Sequence, residues 1–218
     1  MTATWTAPRT WTNGELVTDT MLNAHVRDNT DYLYTYGGGA GTAFPGSPVA
    51  GQTFFRTDKR LLFAYTGSAW EILAGTIAAR YKTSAGQSIA DNTVTIVNYD
   101  TSDLDTHSRV ATGASWKFTA EFAGVYEVQA AVLLTASTAW AATEYAQIQI
   151  YKNGAAGAIG SFVDGRTGGS GIYTTLAIST IVQLAASDYL DLRVYQNSGA
   201  SIALLANASA NHLSVARV

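Results

Sequence analysis

Apolar and polar side chains alternate along residues 112–134, TGASWKFTAEFAGVYEVQAAVLL, and no other stretch limits the fold as tightly. From Val125 onward Tyr126, Val128, Ala130, Val132 and Leu134 share one parity, while Glu127 and Gln129 take the other. A period of two with one apolar side describes a strand with a core on one face. A shorter strand runs from Trp116 through Phe118. The break at Ala123-Gly124 predicts a turn, with Gly124 supplying the positive φ that tight turns need.

The same pattern recurs toward the C-terminus. In QIQIYKNG (147–154) Ile148 and Ile150 point one way, and Asn153-Gly154 signals a hairpin. Leu176, Ile178, Thr180, Val182 and Leu184 share a face in the next alternating run. After it, Leu190, Leu192 and Val194 are inward, and Tyr189, Asp191, Arg193 and Tyr195 line the reverse side. Half aromatic and half charged, that reverse side suits either a subunit interface or a solvated face with amphipathic tyrosines. Loops at 135–143 and 164–171 are rich in Ala, Gly, Ser and Thr. Trp140, Arg166 and, just beyond, Tyr173 are the candidate partner-binding residues there, since aromatic residues and Arg dominate binding hot spots. A buried Trp140 closing one end of the sandwich is the alternative.

Ahead of these strands the chain reads as two smaller pieces. Residues 1–36 open irregularly, with Trp5 and Trp11 as anchors, and then predict a helix capped by Thr18 and running to Tyr36. Leu22, Val26, Asn29, Leu33 and Tyr36 recur at spacings of four, three, four and three, a two-heptad seam. Either the helix bundles with copies of itself, Asn29 fixing the register, or it lies on its own domain. Residues 37–78 comprise a Gly-rich hinge, in which Phe44 could be pinned to a neighbour, and a small β-hairpin module. Phe54, Leu62 and Trp70 are its expected inward residues.

Charged residues make up 13% of the chain, about half the ~25% usual for soluble proteins. So little charge protects a monomer poorly and points to surface buried between subunits. A net charge of −3 leaves no basic footprint for nucleic acid. There is no cysteine and no apolar run long enough to span a bilayer, and residues 1–30 lack a basic-then-apolar signal pattern.

On these residues the segment 112–129, with QIQIYKNG, residues 180–194 and NHLSVARV (211–218) following in order, resembles the complement one-q / tumour necrosis factor-like jelly roll. The resemblance covers roughly residues 79–218 and departs at Ser187-Asp188, where the family carries Gly-Asp. It implies a mainly β fold: a ten-strand antiparallel jelly-roll sandwich, here preceded by a short N-terminal helix and the small β-hairpin module. It also implies a homotrimer that binds partners and catalyses nothing. Leu22, Val26, Asn29, Leu33, Tyr189, Arg193 and Tyr195 are then the candidate trimerisation residues. WTNGELVTDTMLNAHVRDNTDYL (11–33) resembles the opening of many bacteriophage and prophage virion proteins, matched at Trp11, Gly14, Glu15, Val17, Thr18, Asn23, Arg27, Asp28 and Asn29. That resemblance implies a virion-anchoring segment, with Trp5, Trp11, Arg27 and Asp28 in that role, other virion proteins as partners, and a place on the particle surface. Host cell-surface glycan or protein is the expected distal partner.

No cofactor is expected. His25, His107 and His212 lie on three different predicted elements, and no nucleophile elbow or phosphate loop is present. Asp100, Asp103, Asp105 and His107 form one dense polar cluster that reads either as turns or as a calcium site, though without the spacing of a helical calcium loop. The leading expectation is a fibre, spike or head appendage, with a capsid decoration protein as the alternative. An enzyme acting on glycan ranks last, because the glutamates it would need (Glu15, Glu71, Glu121, Glu127 and Glu144) are few and scattered.

Overall fold

The computed structural model describes residues 6, 7, 9–36, 38–135, 140, 141, 143–155, 159–165 and 173–218. It divides into two compact units, Met1–Thr76 and Ile77–Val218.

In the first unit Thr18 caps the helix, its hydroxyl accepting from the Met21 N–H at 3.3 Å. The helix is not uniform. α1 (Asp19–Leu22) passes through a π turn (Asn23–Arg27) into α2 (Asp28–Tyr36). A π turn widens the spiral by about one residue, so positions beyond it rotate out of phase. The expected seam is interrupted there: Leu22, Val26 and Leu33 are exposed and Asn29 is buried, while Val26, Asn29 and Leu33 still border one groove beside Trp11. Asn29 accepts from the Thr6 N–H at 2.8 Å and donates to the Thr6 carbonyl at 3.0 Å, so its amide ties down its own leading segment.

The stretch expected to be a hinge is partly a strand. β1 (Gly39–Gly41) runs parallel to β2 (Thr53–Arg56), which pairs with β3 (Leu61–Tyr65) and through it with β4 (Trp70–Ala74). A Cβ on Gly39 or Gly41 would lie 3.1 or 3.2 Å from the Phe54 ring, so the glycines here admit a close approach. Phe44 is indeed pinned, stacked 4.6 Å from Trp70 and edge-on to Phe63 at 4.9 Å. Leu61 and Phe63 are buried and Leu62 is not, which corrects the expected inward set by one residue. An adjacent Leu-Leu pair carries no parity cue, and a bulge falls between Leu62 and Phe63.

The second unit is a sandwich. Its strands are β5 (Ala78–Lys82), β6 (Ser88–Ile89), β7 (Thr95–Ile96), β8 (Thr101–Asp105), β9 (Val110–Ala111) and β10 (Lys117–Thr119). They continue as β11 (Gly124–Leu134), β12 (Tyr145–Lys152), β13 (Gly160–Gly165), β14 (Thr174–Leu184), β15 (Tyr189–Gln196), β16 (Ile202–Ala203) and β17 (His212–Arg217). A front sheet runs β14-β11-β17-β5-β8, and a back sheet runs β13-β12-β15-β10-β9 with β7 appended to β15. β16 and β6 make a small separate ribbon. Among the described residues the two sheets hold five and six strands, the appended β7 being one more than the ten expected of the jelly roll, and the chain is mainly β with one short helical region.

The inward parities are those the alternation predicted. Tyr126, Val128, Val132 and Leu134 from the front sheet, and Ile148, Ile150, Leu190, Leu192 and Val194 from the back, are fully buried. Phe118 and Tyr126 meet across the core, ring centroids 5.8 Å apart. Two buried amides went unread in the sequence. Gln196 bonds to the Ile89 and Ala200 carbonyls and to Ser198, and Asn211 links the Leu133 N–H to the Leu205 carbonyl.

Two turn positions need comment. Gly124 begins β11 without positive φ; what it supplies is room, since a Cβ there would sit 2.4 Å from Arg217 Nε. Ser187, by contrast, has φ +74°, the left-handed region that costs a residue with a side chain ~1–2 kcal/mol. A glycine at this place would relieve that cost. Ser187→Gly is expected to stabilise the chain by about 1 kcal/mol in chemical denaturation, and a loss of stability would refute the strain.

Candidate interaction surfaces

Because β11 and β14 alternate, every second side chain faces away from the core. β11 presents Val125, Glu127, Gln129, Ala131 and Leu133; β14 presents Thr175, Ala177, Ser179, Ile181 and Gln183. Register aligns them into rows across the front sheet: Ala177 beside Ala131 and His212, Ser179 beside Gln129 and Ser214, Ile181 beside Glu127 and Ala216. Glu127 is the one carboxylate on the outward side of these three strands, and it accepts from Gln129 Nε2 at 2.7 Å. Ile181 is 69% exposed. A shallow depression of about 360 Å³ lies among Gln129, Ala131, Ala177, Ser179 and His212. The His212 Nδ1 beneath it has no partner among the described residues. Beyond Glu127, charge gathers at the far edge, where Lys82 and Arg80 pair with Asp103. The Lys82 hydrogen bond, reinforced by both cations, holds that carboxyl below its ordinary range.

The back sheet's outward face has a different character, and here the expected trimerisation residues are engaged within their own chain. Arg193 donates to both oxygens of Asp191, at 2.5 and 3.0 Å, and its guanidinium lies 3.9 Å from the Tyr151 ring. Tyr189 carries the Lys117 ammonium 4.9 Å over its ring. The Tyr195 hydroxyl donates to Asn92 Oδ1 at 2.9 Å, and its ring lies 5.4 Å from Tyr145. At the end of the sheet, Lys152, Asn153 and the Ala185 N–H all bond Asp188, which pulls its carboxyl down to about 2.

The remaining candidates separate. Trp140 is 5% exposed and belongs to the core, as the buried alternative expected. Tyr173 is 54% exposed. Arg166 and Trp5 lie outside the described residues. Trp11 is half exposed, edge-on to His25 at 6.2 Å with the Arg9 guanidinium 4.7 Å over it, while Arg27 and Asp28 pair on the surface at 2.8 Å. The aspartate cluster does not converge. Asp105 accepts from the Tyr81 hydroxyl and the Arg109 N–H, Asp100 from Thr101, and Asp103 pairs with Lys82. Among the described residues no three acidic or histidine groups could hold a metal ion.

Neither a scan of protein-family models nor a comparison with curated protein sequences finds a match. Among solved structures, Eiger TNF from S. frugiperda superposes with a TM-score of 0.51 at 12% identity, over 66% of this chain and 94% of that one. Murine APRIL at pH 5.0 gives 0.49 at 12% identity, over 66% and 100%. The fold assignment rests on the first: the chain carries a TNF-like jelly roll. At such identity the likeness concerns the fold and leaves function to the surfaces themselves.

The front-sheet face was not flagged by sequence reasoning. Its signal is present nonetheless, in the outward parity of β11, β14 and β17, which holds Ala, Ser, Thr and Gln where a solvated face would carry Lys and Glu.

Proposed function

We propose that this chain is a homotrimeric structural and binding protein of a bacteriophage particle, a fibre, spike or head appendage whose jelly roll is the distal, partner-binding part. The observation that carries the trimer is the outward face of the front sheet. It is nearly free of charge, it is built of small side chains that let backbones approach, and it ends in the exposed Ile181. Depletion of charge with one large apolar anchor is the composition of an interface core. The back sheet already pairs its aromatic and charged groups internally, so the front sheet is the better self-association face. The particle assignment rests on the resemblance of residues 11–33 to virion openings. The exposed Trp11 and the Arg27–Asp28 pair are consistent with a docking segment. Neither surface offers a pair of carboxylates across a cleft, and the reading is non-enzymatic.

Light scattering on the full chain is expected to give about three times its 23.0 kDa mass; a clean monomer at micromolar concentration would sink the trimer. Because the second unit begins at Ile77, a fragment from that residue is expected to stay trimeric yet fail to join particles. If it binds particles as well as the full chain does, the jelly roll is itself the docking surface, and a shell-decorating protein becomes the better reading.

A further inference from the structure

On the back sheet, between the turn that leads into β10 and the outward side of β15, lies a cavity of about 190 Å³ walled by Ser115, Trp116, Lys117, Tyr189, Asp191 and Arg193. Its composition is not that of ordinary surface. Asp191 is 3% exposed, a charged side chain kept out of water by the sheet around it. Arg193 occupies one acceptor position on each of its oxygens, and a carboxylate has about four. Two positions are therefore open on a carboxylate that is already oriented. Trp116 is 1% exposed, and its indole N–H, a donor only, has no partner among the described residues. Its ring packs inward against Tyr81 and Tyr99, centroids 6.2 and 5.0 Å away, so the indole belongs to the core behind the cavity.

The groups that line the cavity narrow the ligand. An anion would face the Asp191 carboxylate, and a cation would face Arg193 and Lys117. Asp191 neutralises Arg193, which leaves the Lys117 ammonium, held over the Tyr189 ring, as the one net charge at the rim beside an acceptor and aromatic surface. A hydroxyl is donor and acceptor at once, and a ring bearing adjacent hydroxyls can give to Asp191 while accepting from Lys117. The Lys117 ammonium covers one face of the Tyr189 ring, and the rest of the ring adds apolar surface beside which the C–H side of such a ligand packs. The volume is below the ~300–1,000 Å³ of drug-sized sites, which leaves room for one ring and not for a chain of them. From these features we infer that the cavity binds a single uncharged pyranose unit of a glycan, with Asp191 as the fixed acceptor and Lys117 as a donor at the rim. The inference deepens the binding reading above, and it requires the back sheet to face solvent while copies meet through the front sheet.

The experiment uses the full chain with 5-fluorotryptophan in place of tryptophan, so that the fluorine signal of Trp116, a residue that borders the cavity, responds to its occupation. The probes are methyl glucoside, methyl galactoside, methyl mannoside and methyl N-acetylglucosaminide, with sodium sulfate and sialic acid as ionic comparisons. At least one neutral glycoside is expected to shift the Trp116 signal saturably, with the other four tryptophan signals unmoved. Ser115→Trp, which fills the mouth from an exposed position without touching the Asp191–Arg193 pair, is expected to abolish the shift with the far-ultraviolet spectrum unchanged. Lys117→Ala is expected to weaken binding by about tenfold, the size of one lost hydrogen bond to a charged donor. No shift with any neutral glycoside up to its solubility overturns the inference, and so does a shift produced only by sulfate or sialic acid. The self-association reading fails separately: a monomeric mass with a saturable glycoside shift removes the trimer and leaves the sugar site standing.

Discussion

Tyr126→Ala is expected to destabilise the chain by ~3–5 kcal/mol, the range for truncating a large aromatic side chain in a core. Tyr126 has no exposed surface, its ring meets Phe118 from the other sheet, and its hydroxyl donates to the Phe122 carbonyl at 2.7 Å. Burial also raises its phenol above the ordinary range, so the group stays protonated and the hydrogen bond persists at any neutral pH. The truncation empties the point where the two sheets touch, and neighbouring strands locked in ladders collapse only partly into the space. Melting should fall by roughly 10–20 °C at fixed protein concentration. Tyr126→Phe separates the two contributions, because it keeps the ring and loses the hydrogen bond, at about 1 kcal/mol. Val125→Ala, one residue away on the outward parity, should change stability by less than about 1 kcal/mol. If Tyr126→Ala melts within a degree or two of the parent, Tyr126 is not where the sheets hold together.

The jelly roll was legible because a strand's faces are written in the parity of its residues. Tyr126 to Leu134, Ile148 and Ile150, and Leu190 to Val194 needed nothing further, and their burial follows the alternation position by position. Parity says which residues share a face; it does not say what lies opposite that face. Asp191 was read as outward and is outward, yet it is buried, because β15 lies between β12 and β10 with Arg193 covering the carboxylate. Gln196 and Asn211 break the rule that polar means exposed, since each satisfies several backbone groups that only the folded chain brings together. The helix lies where Thr18 and Tyr36 bound it, and only its phase departs: a heptad count assumes a regular 3.5-residue repeat, and the π turn at Asn23–Arg27 interrupts it midway. Glycine carried two meanings that sequence does not separate: freedom of φ, wanted at Ser187 where glycine is missing, and absence of a Cβ, needed at Gly39, Gly41 and Gly124.

If the chain forms the trimer proposed above through its front sheet, Ala177→Arg is expected to leave it a monomer of about 23.0 kDa with the fold intact. Ala177 is exposed in the single chain and points away from the core, so a long side chain there meets only solvent when the chain is alone. In the assembly it would be buried against a neighbouring copy, and the groups beside it in its own sheet, Ala131 and His212, include no carboxylate to pair with it. A charge buried without a partner costs ~3–5 kcal/mol, and a trimer related by symmetry meets it three times. Each 1.4 kcal/mol is about tenfold in affinity, so association should weaken by several powers of ten and vanish at micromolar concentration. Tyr195→Ala, on the opposite sheet, discriminates between the two faces. Its hydroxyl and ring are engaged by Asn92 and Tyr145 of the same chain, and the mass should not change. Should Tyr195→Ala dissociate the assembly while Ala177→Arg leaves it whole, the back sheet is the self-association face. The cavity at Asp191 would then be closed by a neighbouring copy, and Tyr189 and Arg193 would return to the trimer interface that their sequence pattern first suggested.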